Sequence, residues 1–204
     1  MSLRHSYTLI APIYDALIAR ATRSARRCSL TALPENPGRI LLAGIGTGLD
    51  LPWLPAHHTY VGLDLTEAML RRALPHAKRL DFSPTLGDAR HLPYADASFD
   101  AVVLHLILAV VPDPADCLAE AARVLKPGGR ILIFDKFLQP GQAAWLRRLL
   151  NPLSRRIATR LDVVFEPLLA ACPQLQLESD QPALAGGWFR LIRLRRMSCK
   201  QNLD

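Results

Sequence analysis

The sequence predicts an α/β fold in which helices cover both faces of a mostly parallel β-sheet. Residues 40–43 form an apolar run that ends in alternating glycines, as a buried strand leading into a ligand loop does. Residues 60–64 form a second apolar run that ends in Asp64. Short apolar segments then alternate with helical patterns, in the order of parallel strands joined by crossover helices. With 204 residues, the chain is long enough for one domain with a substantial core.

Periodicity and turn residues assign the elements in chain order. The predicted strands cover residues 40–43, 60–64, 83–86, 100–105, 130–135, 175–178 and 188–195. The predicted helices cover residues 8–32, 64–70, 112–125, 142–161 and 166–171. Strand 100–105 is apolar on both faces, as a central parallel strand should be. Thr66 is expected to cap the second helix, and residues 34–38 and 126–129 are turn-forming segments that precede strands.

The net charge of +7 is unevenly placed along the chain. Arginine supplies 21 of the 25 basic side chains. Residues 1–140 carry a net charge of +2, whereas residues 141–204 carry +5. A basic C-terminal third indicates an acidic partner, and composition alone leaves anionic lipid, nucleic acid and an acidic small molecule open.

Composition predicts neither a membrane span nor a cysteine framework. No uncharged apolar stretch approaches the ~20 residues of a transmembrane helix, and residues 1–5 lack the pattern of a signal peptide. The expected location is therefore the cytoplasm. The four cysteines stand far apart without a CxxC pair, so they are interpreted as reduced and mostly structural, and no metal site is predicted.

Gly44, Gly46 and Gly48 have the spacing of a cofactor loop. Alternating glycines let the backbone turn sharply and approach a ligand closely. Their GxGxG spacing differs from the GxGxxG of a dinucleotide-binding loop. Asp64 follows Gly48 by 16 residues at the end of the second strand, where one carboxylate can accept both hydroxyls of a ribose. The alternative is a glycine turn beside an unrelated aspartate.

This pattern resembles the class I S-adenosylmethionine-dependent methyltransferases, and residues 87–89, 98–103 and 125–129 continue the family's order of motifs. The resemblance implies a Rossmann-like methyltransferase fold, whose seven-stranded sheet includes a late antiparallel strand. It also implies S-adenosylmethionine as cofactor, with Asp64 at the ribose and Asp88 and Ala89 at the adenine. An ordinary Gly-Asp turn is the alternative at residues 87–88. The implied cofactor-binding residues are Gly44, Ile45, Gly46, Gly48, Asp64, Leu65, Met69, Asp88, Ala89 and His105.

One position departs from the family pattern. The first strand usually carries a carboxylate two residues before the first loop glycine, and here that residue is Leu42. The departure predicts either weaker binding of the cofactor or another group that takes the place of the carboxylate.

Other segments resemble the bacterial phosphatidylethanolamine N-methyltransferases and, in part, the quinone-pathway methyltransferases. They are residues 14–15, 44–52, 110–114, 136–137 and 191–193. The acceptor implied first is a phosphatidylethanolamine-type amine, and a quinone-like or other small molecule is second. A nucleic-acid acceptor is disfavoured because no Asn-Pro-Pro-Tyr-like tetrapeptide follows the fourth strand. A non-catalytic cofactor-binding or membrane-associating module is a third alternative. Asp135 and Lys136 stand where the lipid group tends to have Asn-His, a departure that concerns the headgroup pocket.

His105 and Tyr14 are the catalytic candidates. Methyl transfer from a sulfonium needs mainly alignment and exclusion of water, but an ammonium acceptor must first lose a proton. His105, at the end of the fourth strand, is the best-placed base, and the alternative is a neutral histidine whose backbone contacts the cofactor. Tyr14 would either close over the cofactor or pack as an ordinary aromatic. Asp135 is expected to face substrate or solvent, and His57 and His58 are expected to have no chemical role.

The C-terminal third carries the predicted membrane contact. Residues 142–161 place apolar side chains at helical spacing between five arginines, which is typical of a basic helix on an anionic membrane. A lid packed on the domain is the alternative. Residues 190–196 alternate as a half-buried last strand does, and they lack the interleaved aromatics of a nucleic-acid patch.

The chain is therefore expected to form one methyltransferase domain in three parts. These are an N-terminal helical segment (1–38), a cofactor-binding core (39–140) and a basic helical insert with the last strands (141–204). The expected partner is a small-molecule or lipid substrate, with peripheral contact at the inner face of an anionic membrane. The oligomeric state is not predicted.

Overall fold

The computed structural model describes residues 20–138 and 163–198. Within them, seven strands form one sheet in the order β3-β2-β1-β4-β5-β7-β6. The strands are β1 (Arg39–Ala43), β2 (Thr59–Asp64), β3 (Asp81–Leu86), β4 (Phe99–His105), β5 (Leu125–Lys136), β6 (Leu175–Leu184) and β7 (Phe189–Arg196). Only β7 runs antiparallel to its neighbours in this sheet. The predicted fold, a mostly parallel sheet with a late antiparallel strand, is confirmed.

Four α-helices are described in full or in part. They are α1, described for residues 20–30, α2 (Glu67–Ala73), α3 (Pro114–Val124) and α4 (Phe165–Ala170). Asp113 caps α3, because its carboxylate accepts from the backbone N–H groups of Ala115 and Asp116. None of the described helices is both long and apolar enough to cross a bilayer. The predicted helix at 142–161 and the first part of the predicted helix 8–32 lie outside the described residues.

Three local predictions need correction. The hydroxyl of Thr66 caps no helix amide, since it donates instead to Asp64 Oδ1 at 3.1 Å. β5 begins at Leu125 rather than 130, because Leu125 pairs with Phe99 ahead of an irregularity in the ladder. β6 continues to Leu184 rather than ending at 178, because two irregularities let it stay paired with β7.

Each face of the sheet is buried against its own helices, as parallel strands require. One apolar cluster joins Leu41, Val102 and Ile131 to residues of α3 and α4. The second joins Ile40 and Val103 to residues of α2 and to the end of α1. β1 lies between β2 and β4, so the chain reverses its direction of winding there. The carboxyl ends of these strands meet at one edge, which is where α/β sheets bind ligands.

Asp135, near the end of β5, is fully buried and faces neither solvent nor an open cleft. Its Oδ2 accepts from the backbone N–H of Ala109 at 3.1 Å, and its Oδ1 accepts from that of Lys136 at 2.8 Å. Burial raises the pKa of Asp135 to about 6, although these hydrogen bonds lower it. The expectation of a substrate-facing or solvated carboxylate is wrong here. Asp135 instead ties the segment after β4 to the end of β5.

The buried carboxyl of Asp135 makes stability depend on pH. Because its folded pKa lies above its value in the unfolded chain, its stabilising contribution is complete below pH ~4 and is lost as the pH rises through about 6. Replacing it by a neutral amide, Asp135→Asn, should remove a slope of up to ~1.4 kcal/mol per pH unit between pH 4 and 6. Urea unfolding at a series of pH values measures this slope. Asp81→Asn, at an exposed strand end, is the control, and parallel curves for parent and Asp135→Asn would refute the assignment.

Candidate functional site

The three loop glycines all adopt left-handed backbone conformations, with φ of 71° at Gly44, 56° at Gly46 and 82° at Gly48. A Cβ at Gly44 would lie 2.4 Å from Ile107 Cδ1, and a Cβ at Gly48 would lie 3.0 Å from the Cα of Ala73. A Cβ at Gly46 would meet no heavy atom within 4 Å. Gly44 and Gly48 are therefore glycines because the fold packs against them, whereas the loop is open above Gly46.

Backbone hydrogen bonds hold this loop against the end of β2. The N–H groups of Gly44 and Ile45 both donate to the carbonyl of Leu63, at 2.8 and 3.0 Å. The Ile45 side chain is buried in the core, where it crowds the position that a Cβ at Gly62 would take. Ile45, one of the predicted cofactor-binding residues, therefore presents its backbone and not its side chain to the open side of the loop.

Asp64 joins the glycine loop to the start of α2. Its Oδ2 accepts from the N–H of Gly46 at 2.9 Å, and its Oδ1 accepts from the N–H and hydroxyl of Thr66 at 3.0 and 3.1 Å. A carboxylate offers about four acceptor positions, so Asp64 retains capacity for a further donor. The side chain is partly exposed at the sheet edge where a ligand would bind.

Two large apolar side chains flank Asp64 and face solvent. Leu65 is 55% exposed, and Leu86, which lies opposite Asp64 in the β2–β3 ladder, is 60% exposed. Met69, in the first turns of α2, is partly buried. Exposed apolar groups next to convergent polar groups are typical of a site for a ligand with a flat apolar ring.

Asp88 follows β3 and pairs with Arg90. Arg90 Nη2 lies 2.6 Å from Asp88 Oδ2, and this hydrogen bond is the main reason why the pKa of Asp88 is lowered. Ala89 is buried in the core. The backbone N–H of Gly87 donates to the carbonyl of Asp64 at 2.9 Å, and this contact brings Asp88 to the same edge of the sheet as Asp64. Any donor of a ligand that bound Asp88 would share its carboxylate with Arg90.

The side chain of His105 is enclosed in a polar cluster beneath the glycine loop. Its Nδ1 lies 3.0 Å from Asp50 Oδ1, and its Nε2 lies 2.9 Å from Ser29 Oγ. Phe134 of β5 covers the ring edge-on at a centroid distance of 5.9 Å. Since the side chain is 2% exposed and both nitrogens are engaged, the imidazole makes no direct contact with the cleft in this arrangement. The following residue, Leu106, has a left-handed φ of 59°, which is costly for a branched side chain.

Asp50 is the centre of this cluster and is 5% exposed. Arg26 Nη1 donates to both of its oxygens at 2.9 Å, and Arg26 Nε donates to the hydroxyl of Thr22 at 3.1 Å. Burial by itself would raise the pKa of Asp50, but the charges of His105 and Arg26 and their hydrogen bonds outweigh it. The pKa of Asp50 is therefore held well below its usual range.

Sequence reasoning missed Asp50, Arg26 and Ser29. One signal was present, because Asp50 is a lone charge within the apolar segment that follows the glycine loop. Leu42, where a carboxylate is usual, is 2% exposed in the apolar cluster on the same face of the sheet as His105. The buried carboxylate of this region is thus supplied by the segment after the loop rather than by the first strand.

The remaining candidate residues lie away from this edge of the sheet or outside the described residues. Tyr14 falls outside the described residues. His58 is buried, and its Nδ1 accepts from the N–H of Gly38 at 3.0 Å, which is a structural contact. In the described part of the chain, no three His, Cys, Asp or Glu side chains are grouped as metal ligands.

Comparison with known proteins supports a single family. A family model described as a methyltransferase domain matches residues 41–133. A phosphatidylethanolamine N-methyltransferase from Cereibacter sphaeroides is 31% identical over 189 residues, which cover 90% of this chain and 93% of that protein. A demethylmenaquinone methyltransferase from Paenarthrobacter aurescens is 32% identical over 194 residues, which cover 88% of this chain and 75% of that protein.

The fold comparison agrees. The crystal structure of a putative methyltransferase from Bacillus halodurans superposes with a TM-score of 0.70 at 20% identity, covering 85% of this chain and 98% of that one. Since sequence similarity extends along 93% and 75% of two methyltransferases and the sheet matches a solved one, we conclude that this chain belongs to the class I S-adenosylmethionine-dependent methyltransferases.

Proposed function

We propose that this methyltransferase transfers a methyl group to the amine of a phosphatidylethanolamine-type lipid, acting from the cytoplasm at the inner face of an anionic membrane. The observation that carries the proposal is the match to a phosphatidylethanolamine N-methyltransferase over 90% of this chain and 93% of that protein. A quinone-like acceptor is the second candidate, because a demethylmenaquinone methyltransferase is 32% identical over 88% of the length of this chain.

The residues at the sheet edge fit the cofactor. S-adenosylmethionine supplies an electrophilic methyl group on a sulfonium, so the protein must chiefly align the acceptor and exclude water. We assign the open backbone around Gly46 to the methionine part and the spare acceptor position of Asp64 to a ribose hydroxyl. Exposed Leu65 and the Asp88 carboxylate would meet the adenine.

The other predicted cofactor-binding residues act through backbone or packing. Gly44, Gly48 and Ile45 shape the loop, Met69 and Ala89 pack beneath the ligand edge, and His105 offers its backbone at the end of β4. These assignments need no metal and use only groups that lie at one edge of the sheet.

The charge distribution supports the membrane contact. Several basic side chains outside α1 and α2 are paired with carboxylates: Arg90 with Asp88, Arg123 with Glu120 and Asp96, Lys126 with Asp100, Arg130 with Glu178, and Arg190 with Asp180 and Glu166. On the side of α1 and α2, exposed Arg20, Arg23, Arg27 and Lys78 have no carboxylate within 4 Å among the described residues.

These unneutralised charges form one surface, which we call the basic face. The guanidinium carbons of Arg23 and Arg27 lie 4.6 and 5.0 Å from the ring centroid of Trp53. Arg79 Nη2 donates to the carbonyls of residues 51, 52 and 54 on both sides of that tryptophan, and Leu74 nearby is 44% exposed. A surface of basic groups with an exposed leucine suits an anionic membrane, where each basic residue contributes ~1 kcal/mol.

The acceptor is tested directly. The full chain is incubated with methyl-labelled S-adenosylmethionine and vesicles that contain phosphatidylethanolamine and phosphatidylglycerol. We expect labelled N-methylated lipid, and none with vesicles in which phosphatidylcholine replaces phosphatidylethanolamine. Parallel vesicles carry a demethylated menaquinone, and turnover only there would reject the lipid amine in favour of the second candidate.

The ribose assignment predicts that Asp64→Ala weakens cofactor binding at least tenfold, equivalent to ~1.4 kcal/mol. The variant loses the acceptor for the ribose and the anchor of the Gly46 amide. Calorimetric titration with S-adenosylmethionine and S-adenosylhomocysteine measures the change. Asp81→Ala, at the far end of β3, controls for loss of an aspartate, and equal affinity of parent and Asp64→Ala would disprove the assignment.

The basic face predicts that Arg23→Glu with Lys78→Glu reduces binding to phosphatidylglycerol vesicles at least tenfold, because two attractive charges become repulsive. The matched control is Arg39→Glu with Arg195→Glu, which changes the net charge equally at exposed positions outside the basic face. Vesicle co-sedimentation at low and high salt is the measurement. Equal losses for the two double variants would mean that net charge, and not this face, governs binding.

A further inference from the structure

Three side chains from separate elements form a continuous hydrogen-bonded line. Asp50, in the segment after the glycine loop, lies 3.0 Å from His105 Nδ1 at the end of β4. His105 Nε2 lies 2.9 Å from Ser29 Oγ on α1. His105 is 55 positions from Asp50 and 76 positions from Ser29 in the sequence, so only the fold brings the three residues together.

The charges fix the direction of each hydrogen bond. Asp50 stays ionised because the guanidinium of Arg26 donates to both of its oxygens, so its negative charge is compensated in spite of burial. An ionised carboxylate can only accept, so the Nδ1 of His105 must carry a proton and donate it. In the neutral imidazole, Nε2 is then the acceptor and the Ser29 hydroxyl is the donor.

The same order of groups activates serine in acyl-transfer enzymes. Here the serine lies within a helix, whose amide groups are used by the helix itself. Such a position lacks the pair of converging N–H donors that acyl transfer needs to stabilise an oxyanion. The line of groups is therefore suited to moving a proton and not to forming a covalent bond.

We propose that Ser29, His105 and Asp50 form a proton relay for the acceptor, in which the Ser29 hydroxyl is the group that contacts the acceptor's ammonium. The proposal rests on the proposed function in that it takes the acceptor to be an amine. It makes Ser29 a catalytic residue, and it makes His105 a base that acts through Ser29 rather than directly. Asp50 is a positioning residue that fixes the tautomer of the imidazole.

The proton transfer balances without any further reactant. The acceptor's ammonium gives one proton to Ser29 Oγ while the Ser29 hydroxyl proton passes to His105 Nε2. The acceptor becomes a neutral amine with a free lone pair, which is the nucleophile. His105 becomes an imidazolium whose Nδ1–H stays bonded to Asp50, and it later returns its extra proton to water.

The location of the relay agrees with this role. His105 ends β4 directly before the segment in which Ile107 packs on Gly44, so the relay lies beside the cofactor loop. Ser29 lies at the end of the line that is opposite the Asp50–Arg26 pair, so it is the member left to meet an acceptor. In the described part of the chain, the charged groups facing His105 are Asp50 directly and Arg26 behind it, and β5 contributes uncharged Phe134.

The first test needs no acceptor and therefore stands if the lipid assay fails. Nitrogen-15 NMR of the His105 ring, assigned with a His105→Gln variant, reports its tautomer and its titration in the full chain. We expect a ring protonated at Nδ1 and not at Nε2 near neutral pH, and loss of that preference in Asp50→Asn. A ring that is protonated at both nitrogens there, or at Nε2 alone, overturns the relay.

The second test uses whichever acceptor amine is turned over. Ser29→Ala should lower kcat about 100-fold near neutral pH, the lower end of what general base catalysis contributes, with the Kd for S-adenosylmethionine changed less than twofold. The deficit should shrink as the pH rises, because the free amine then needs no base. Ser29→Thr keeps a hydroxyl and should restore most of the rate.

Thr31→Val is the matched control, since it removes another hydroxyl near the end of α1, one that donates to the carbonyl of Cys28. A loss of kcat in Ser29→Ala that equals the loss in Thr31→Val, or one that is independent of pH, would assign Ser29 a structural role and refute the relay. Turnover of a quinone-like acceptor in place of the lipid would reject the lipid function. Full activity of Ser29→Ala would reject the relay.

Discussion

Burial of the Asp50 carboxylate constrains the architecture around it, because a charge removed from water must be paired and hydrogen-bonded. Arg26 and His105 meet that requirement, and they come from α1 and from the end of β4. The helix, the segment after the glycine loop and the central strand are thereby fixed to one another at the carboxyl edge of the sheet. Breaking either pair would leave the buried charge of Asp50 with fewer compensating partners, so the cluster favours a single arrangement of the three elements.

The glycine loop depends on a second carboxylate. Asp64 accepts the amide of Gly46 and both donors of Thr66, so the end of β2 holds the loop of β1 in its left-handed conformation. The loop is therefore already shaped before a ligand binds, which lowers the conformational entropy that binding must overcome. Gly44 and Gly48 meet the packing of Ile107 and Ala73, and Gly46 leaves the ligand side open.

The two carboxylates divide the work at this edge. Asp64 is partly exposed and has spare acceptor capacity, so it suits a ligand. Asp50 is buried and paired with both Arg26 and His105, so it suits the control of a neighbouring group. A third carboxyl, that of Asp135, lies on the opposite face of the sheet. It accepts from the backbone N–H of Ala109 and so anchors the segment that follows β4. Acidic residues thus fix the loops after β1, β2 and β4 by different means.

The sequence by itself determined the elements that local pattern encodes. The apolar runs and the alternating glycines predicted the parallel strands and the cofactor loop, and the alternation at residues 188–195 predicted the last strand. Resemblance to a family added the seven-stranded sheet with its late antiparallel strand, which the strand order confirms. These features depend on residues close together in the chain, or on motifs in a fixed order.

Only the tertiary structure decided which polar groups are partners. Thr66 is a residue type that often caps helices, but its hydroxyl donates to the carboxylate of Asp64 and makes no hydrogen bond to the helix backbone. Asp135 has the position of a solvated strand end, but the segment after β4 covers it. The helix arginines look alike in sequence, yet Arg26 is buried on Asp50 while Arg23 lies over Trp53. Ser29 and His105 are 76 residues apart, and no periodicity encodes a contact at that distance because it exists only once the helix packs against the sheet.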